Sequence, residues 1–321
     1  MILGLETSCD ETAAAVVTGE GRILANVVAS QAELHAPFGG IVPEVASRRH
    51  LELVAPVVRE ALAQAETTLA DVETVAVTQG PGLIGALLVG IAAAKGLAWS
   101  RGLPLVPVDH LHGHVASLYL EPAPLEPPFL CLLATGGHTL LLDVRDRSGF
   151  RVVGSTLDDA AGEAFDKGAR LLGLGYPGGA AIDRFAQSGD PGAFRFPVAR
   201  VPEHDFSFSG LKTALVYAVR DLDARELEAR RTDLAASYQH AIVRALVERT
   251  QAAAEALGHE RIAVVGGVAA NSELRSALAG AAFAPLPLCT DNAAMIASAA
   301  RFLEPLAPPD YLSLDAYAAA A

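Results

Sequence analysis

The stretch FLCLLATGGHTLLLDVR, residues 129–145, decides the fold. Residues 129–135 read as a buried strand, Gly136-Gly137 as a tight turn, and residues 139–145 as the returning strand. A further strand is expected at 150–155. The chain opens in the same way. Strand-like runs at 2–7 and 12–18 flank the polar hinge Ser8-Cys9-Asp10-Glu11, and Gly19-Glu20-Gly21 turns the chain into a third run at 23–30. The proline-rich loop at 122–128 separates the two openings, so the pattern starts twice.

Alternating elements follow each start. In the first half, helices are expected at 43–66, 85–101 and 110–120, with Pro43 in the first turn and strands at 72–78 and 105–108. In the second half, helices are expected at 160–172, 210–220 and 224–257, then a strand at 261–265 and a helix after Asn271. A last helix is expected at about 293–302. A β-meander followed by alternating strands and helices, given twice, predicts an α/β protein of two similar lobes, each with a hairpin turn able to face an anion. No solenoid period is present.

Composition narrows the function classes. The 321 residues suffice for two ordinary domains, and 51% of them are hydrophobic, enough for sizeable cores. The 29 glycines and 19 prolines are scattered, which excludes collagen-like and low-complexity chains. The formal charge is −13, and lysine occurs only at Lys95, Lys167 and Lys212. Such a chain binds nucleic acid only through a local basic patch or with partners. Cys9, Cys131 and Cys289 show no paired spacing, which fits a reducing compartment. The N-terminus runs straight into a strand pattern without a signal-like segment. The apolar run at 83–97 is interrupted by Gly85, Gly90 and Lys95 and reads as too short to span a bilayer. A cytoplasmic protein without membrane contact is expected.

The segment His110-Leu111-His112-Gly113-His114 holds three of the nine histidines. Asp109 is a suitable N-cap, and His110 and His114 fall one turn apart on one helical face, the spacing that chelates a metal. His112 faces elsewhere. The pair resembles that of HExxH metalloproteases, but Leu111 stands at the glutamate position, so no carboxylate there activates water. Asp291 is a candidate third ligand, although an aspartate before a helix also serves as an N-cap. Two imidazoles and a carboxylate suit Zn²⁺ or Fe²⁺ with positions left open. Leu133-Ala134-Thr135-Gly136-Gly137 and Gly266-Gly267 are turns where backbone N–H groups can converge on a phosphate, or are ordinary tight turns. Asp166 and Asp183 are candidates for ribose hydroxyls. Asp10 and Glu11 are adjacent acids on the first hairpin.

Taken in order, Glu6-Thr7-Ser8-Cys9-Asp10-Glu11-Thr12, Pro43-Glu44-Val45-Ala46-Ser47-Arg48, Gly80-Pro81-Gly82-Leu83, the histidine segment, Asp159 to Lys167, Tyr176-Pro177-Gly178-Gly179, Asp205 to Thr213, Gly266 to Asn271 and Cys289-Thr290-Asp291-Asn292 resemble the TsaD family, the tRNA N6-adenosine threonylcarbamoyltransferases, over nearly the whole chain. The resemblance implies an actin-like ATPase (actin/sugar kinase/Hsp70) fold, with two similar lobes around a nucleotide cleft. The lobes are expected at residues 1–106, joined by a C-terminal helix at about 293–321, and at residues 107–292. It implies transfer of a threonylcarbamoyl group from threonylcarbamoyl-AMP to N6 of adenosine 37 in tRNAs reading ANN codons, with release of AMP.

By likeness, His110, His114 and Asp291 hold one divalent metal, Fe²⁺ or Zn²⁺. Leu133, Ala134, Thr135, Gly136, Gly137, Asp166, Gly179, Asp183 and Asn271 line the nucleotide site. In that fold's layout the first hairpin faces the cleft, so Asp10 or Glu11 is expected to accept the amine proton. Implied partners are tRNA, a paralogous inactive subunit (TsaB-like) and a small P-loop ATPase (TsaE-like). Three departures stand out: Thr135 where the family often has serine, Asp109 where asparagine or histidine is common, and residues 312–321 in place of an Arg-Pro-Arg-Trp-type tail. RNA contact is therefore expected elsewhere, for instance at Arg48 and Arg49. The rival classes, an actin-fold kinase without a metal pair and a degenerate non-catalytic paralogue, would each lack the histidines.

Overall fold

The computed structural model describes residues 1–319; the last two residues of the C-terminal tail lie outside it. The chain divides into two compact units. The first comprises Met1–Glu126, Asp146–Gly149 and the described residues from Thr290 on, and the second Pro127–Arg145 and Phe150–Cys289. The expected boundary after residue 106 is corrected to 126. The strand that precedes the histidines pairs in the first sheet, and the helix that carries them packs against the helix beginning at Ala293, so neither can belong to the second unit.

The first unit is built on β1 (Ile2–Glu6), β2 (Glu11–Val17), β3 (Ile23–Ser30), β4 (Thr74–Gly80) and β5 (Leu105–Asp109), in the order β3-β2-β1-β4-β5. The meander β1–β3 is antiparallel, and β4 and β5 extend it in parallel. Its helices are α1 (Ala32–His35), α2 (Pro43–Gln64), α3 (Ile84–Arg101) and α4 (His110–Ala116). Pro43 stands in the first turn of α2, where its missing N–H costs nothing. Leu3, Leu5, Val16, Val58, Val75 and Ile91 meet in the core, because a strand alternates its faces and α2 and α3 turn their apolar stripes toward one of them.

By length and hydropathy, α3 passes as a bilayer span, longer than the interrupted run suggested. Here it packs on β4 and α2, and Lys95 Nζ donates to the Leu312 and Leu314 carbonyls at 2.9 and 2.6 Å. The expected helix at 110–120 ends at Ala116. Ser117 Oγ donates to His114 O at 2.6 Å, and a 3₁₀ turn, Ser117–Tyr119, leads into the proline loop.

The second unit repeats the plan with β6 (Phe129–Ala134), β7 (Thr139–Val144), β8 (Arg151–Ser155), β9 (Ile262–Val265) and β10 (Ala282–Phe283), in the order β10-β9-β6-β7-β8. The meander is again antiparallel and the two later strands parallel, as in the first sheet. Between β8 and β9 lie α5 (Ala161–Leu171), α6 (Gly178–Ala186), α7 (Ser209–Arg220) and α8 (Ala224–Leu257), and α9 (Ser272–Ala277) follows β9. The 34-residue α8 has clear ends: Asp223 and Glu226 form a capping box, and Gly258, at φ 69°, closes it. Helix α6 begins on Gly178-Gly179, where no helix was expected. Asp166 Oδ1 accepts from Gly178 N at 2.8 Å, a tertiary cap for a weak helix start.

The last helix, α10 (Ala293–Ala300), returns to the first unit and packs on β1 and α4. The described residues beyond it are irregular apart from a 3₁₀ turn, Asp310–Ser313, rather than helical as expected, and the last two residues of that expected helix lie outside the described residues. Leu306 pairs with Leu105, and Tyr317 OH donates to Asp109 Oδ2 at 2.6 Å.

Candidate functional site

The first candidate site lies where β1 and β5 end. Asp109 closes β5 and caps α4, its Oδ1 accepting from Leu111 N at 2.8 Å and His112 N at 3.1 Å. With the first turn fixed, His110 and His114 share a face, their rings meeting edge-on with centroids 4.7 Å apart. His112 points away, its Nε2 3.0 Å from the Arg147 carbonyl, and burial holds its pKa below the usual histidine value.

The third donor comes from the start of α10. Asn292, not Asp291, is the cap, with Oδ1 accepting from Met295 N at 3.1 Å. Asp291 stands beside the imidazoles instead, its Oδ1 3.6 Å from His110 Nε2 and 3.2 Å from His114 Nε2. One ligand atom from each of the three residues lies within 4.8 Å of the others. Bare positions make this approach feasible. A Cβ on Gly4 would fall 2.5 Å from Ala293 O, and one on Gly113 would fall 2.7 Å from Ile296 Cδ1.

These residues fit a metal ion. His114 is fully buried, and among the described residues neither of its ring nitrogens makes a hydrogen bond, the Asp291 carboxylate standing near Nε2 without bonding it. A buried polar group left unsatisfied costs ~1–3 kcal/mol, and a cation on the imidazole lone pair relieves it. His110 is held from behind. Its Nδ1 lies 3.0 Å from Glu6 Oε2 and 3.2 Å from Ser8 Oγ, while Glu6 also accepts from Thr78 Oγ1 at 2.7 Å and from Ser8 N. A carboxylate behind a ligating imidazole fixes its orientation and raises its basicity. Burial works against charge on His110, but Asp291 and Glu6 outweigh it and push the ring up to about 9. The pocket favours a positive charge, proton or metal.

Glu6 was not among the site residues expected from the sequence. The available signal was an acid ending an otherwise apolar buried strand, which must find partners. The neighbouring hairpin carries Asp10 and Glu11. Ser30 Oγ donates to Glu11 Oε1 at 3.1 Å, and Gln31 N donates to Asp10 O at 2.9 Å. Burial, with the charges of Asp291 and Asp10, pushes Glu11 up to about 10.

The second candidate site lies at the ends of β6 and β9. Leu133 and Ala134 are buried within β6, and only Thr135, Gly136 and Gly137 emerge. Thr135 Oγ1 accepts from His138 N at 2.9 Å and Gly137 N at 3.3 Å, closing the turn, and the Gly136 N–H has no acceptor among the described residues. Gly266 packs against this turn at φ 91°, where a Cβ would fall 2.4 Å from Ala134 O. From there the chain reaches Asn271, which caps α9.

Asn271 Nδ2 donates to Asp183 Oδ1 at 3.3 Å and to the buried Gln239 Oε1 at 2.8 Å, so Asn271 and Asp183 are brought together. Asp183 also accepts from Ser272 Oγ at 2.7 Å. Asp166 is engaged at Gly178, beside Gly179. Gln239, mid-helix and far from any glycine motif, was not anticipated.

Comparison with known proteins places the sequence. The tRNA N6-adenosine threonylcarbamoyltransferase (TsaD) family model matches residues 22–298. The protein of that name from Symbiobacterium thermophilum is 52% identical over 312 residues, covering 94% of this chain and 91% of the relative. Its counterpart from Anaeromyxobacter dehalogenans is 54% identical over 309 residues, with 93% and 92% covered. Among solved structures, component A of the Acidaminococcus fermentans (R)-2-hydroxyglutaryl-CoA dehydratase matches with a TM-score of 0.56 at 15% identity, covering 97% of this chain and 99% of that one. HypF from T. kodakarensis matches with a TM-score of 0.61 at 14% identity, covering 93% and 46%. At such identities the likeness shows the fold alone, and that fold is of the actin-like ATPase type, as expected from the resemblance.

Proposed function

The chain belongs to the tRNA N6-adenosine threonylcarbamoyltransferase family, and from that premise we propose that it transfers the threonylcarbamoyl group of threonylcarbamoyl-AMP to N6 of adenosine 37 in tRNAs reading ANN codons, with release of AMP. The observation that carries the chemistry is the convergence of His110, His114 and Asp291 within 4.8 Å, one imidazole otherwise unpartnered. These three hold one divalent ion, iron or zinc. When bound, it supplies Lewis-acid polarisation of donor oxygens.

The chain's own groups do the rest. Glu6 holds the ring of His110 so that its Nε2 stays beside Asp291. On the Asp10-Glu11 turn, Asp10 accepts the proton leaving the adenosine amine, a poor nucleophile that must be positioned before it reacts, because Glu11, pushed up to about 10, already holds its own proton at neutral pH. In the second unit, the Gly136-Gly137 turn takes the phosphate of the AMP moiety, supported by the unengaged Gly136 N–H. Leu133 and Ala134 carry this turn as the buried end of β6. Asp183 and Asn271 meet the nucleoside by exchanging their present mutual contact for ligand hydroxyls, with Asp166 and Gly179 forming the adjacent wall.

The protein works in the cytoplasm, consistent with three free cysteines. A paralogous inactive subunit and a small P-loop ATPase act with it. The exposed Leu51, Ile84 and Leu88 on α2 and α3 support a protein partner. The test is to mix the metal-loaded protein, its partners, threonylcarbamoyl-AMP and unmodified tRNA, and to measure the modified nucleoside by mass spectrometry. Transfer that survives unchanged in His114→Ala would remove the metal from the reaction.

A further inference from the structure

An acidic enzyme that acts on tRNA needs a local place where phosphates are welcome. Arg48 and Arg49, the residues expected to serve, are paired within their own helix to Glu44 at 2.7 Å and Glu52 at 2.5 Å. The cavity beside them, about 660 Å³, is lined by Glu33 and Glu52 as well as by both arginines, so its charges cancel.

The second unit holds a different cavity, about 580 Å³, between the loop after α6 and the middle of α8. Arg195, Arg244 and His240 line it, and no carboxylate does. Arg195 is exposed and has no acidic partner among the described residues. Arg244 Nε is 3.7 Å from Glu248, a loose contact. His240 pairs with Glu273 at 2.7 Å on the rim.

The walls are firmly built. Ser237 Oγ donates to Asp190 O at 3.1 Å and accepts from Phe194 N at 3.1 Å, and Asp190 N donates to Asp233 Oδ1 at 3.0 Å. Phe196 is buried edge-on to Tyr238 with ring centroids 5.7 Å apart, Phe194 stacks on Phe196, and Arg230 lies 4.2 Å over Phe194. The carboxylates of Asp190, which accepts from Gly192 N at 2.8 Å, and Asp233, which accepts from Asp190 N, are engaged in holding the loop, while the guanidinium groups line the cavity. A smaller cavity sharing Pro191 runs on to Gln239 and Ser272, beside the Asp183–Asn271 pair.

We propose that this groove binds the phosphodiester backbone of the tRNA substrate, with Arg195 and Arg244 each taking a phosphate. The chemistry selects the occupant: guanidinium groups read phosphate, and the net charge of −13 otherwise repels a polyanion, so affinity must come from a few local contacts. Because this rests on the tRNA reaction proposed above, the test separates the two.

Binding of tRNA to the full chain is followed by fluorescence anisotropy across a salt series, without donor, for the unaltered protein and for Arg195→Glu/Arg244→Glu. The double variant is expected to bind at least tenfold more weakly. Its log–log salt slope should shrink by about 1.5, at roughly 0.7 to 0.9 per phosphate contact. In transfer assays its KM for tRNA should rise, while its KM for threonylcarbamoyl-AMP stays put. Arg195→Lys/Arg244→Lys should retain most of the affinity. The matched control Arg59→Glu/Arg261→Glu, with the same charge change at exposed positions outside the groove, should keep the slope. Melting temperature and metal content check folding, and the milder Arg195→Gln/Arg244→Gln pair serves if the reversal misfolds. Unchanged affinity and slope in the groove variants, or an equal loss in the control, would overturn the proposal. Absence of product from the unaltered protein would instead overturn the transferase function and leave the binding series readable.

Discussion

The two sheets have one plan and opposite chemistry. In each, an antiparallel meander is extended by two parallel strands, and the candidate functional residues sit where the parallel strands end at their carboxyl termini. In the first unit those ends carry Glu6, Asp109 and His110, and α10 adds Asp291. In the second they carry Thr135, Gly136 and Gly266. The first end is rich in groups that bind a cation, and the second is bare backbone that can meet an anion. Topology decides where a ligand can approach, and the residues at that place decide which ligand it is.

Removing His114 should break this contrast most severely. His114→Ala takes away the imidazole of the pair whose nitrogens have no hydrogen-bond partner among the described residues, and bound metal measured by elemental analysis should fall to near background. Gly136→Ala in the second unit should leave metal content unchanged. Equal metal loss from both would show that the two ends do not divide the work.

Glu6→Gln sharpens the same comparison from behind the ligand. It keeps the shape but weakens the hold on His110 Nδ1, so metal affinity in competition with a chelator should drop roughly 10- to 100-fold. Gly266→Ala tests the other end. A Cβ there meets Ala134 O at 2.4 Å on a backbone at φ 91°, and thermal or urea unfolding should show a loss of about 1–3 kcal/mol with metal affinity intact. The smallest effect is expected at Asp223→Ala, which removes the capping box of α8, costs about 1 kcal/mol and changes neither ligand site.

Much of this was legible because the signals are local. The meanders, the parallel strands after them and α8 with its Asp223 start all follow from apolar periodicity and caps, which act within a few residues. The pairing of His110 with His114 is local too, since one helical turn fixes it. The misses share another cause. Helix α6 begins on two glycines, poor helix formers, and exists because Asp166 from α5 caps it. Whether Asp291 or Asn292 would cap α10 was undecidable from two adjacent side chains that can each do so. Glu6 lies 104 positions from the ring it holds.

By itself, then, the amino-acid order determined most of the elements, the doubled plan and the family, because each rests on short-range patterns or on motifs in series. Only the tertiary structure decided that the histidine helix belongs with the first unit, that Asp291 rather than its neighbour joins the imidazoles, and that Glu6 stands behind them. These depend on bare glycines letting α10 seat against β1 and α4, a contact between distant parts of the chain that packing alone selects.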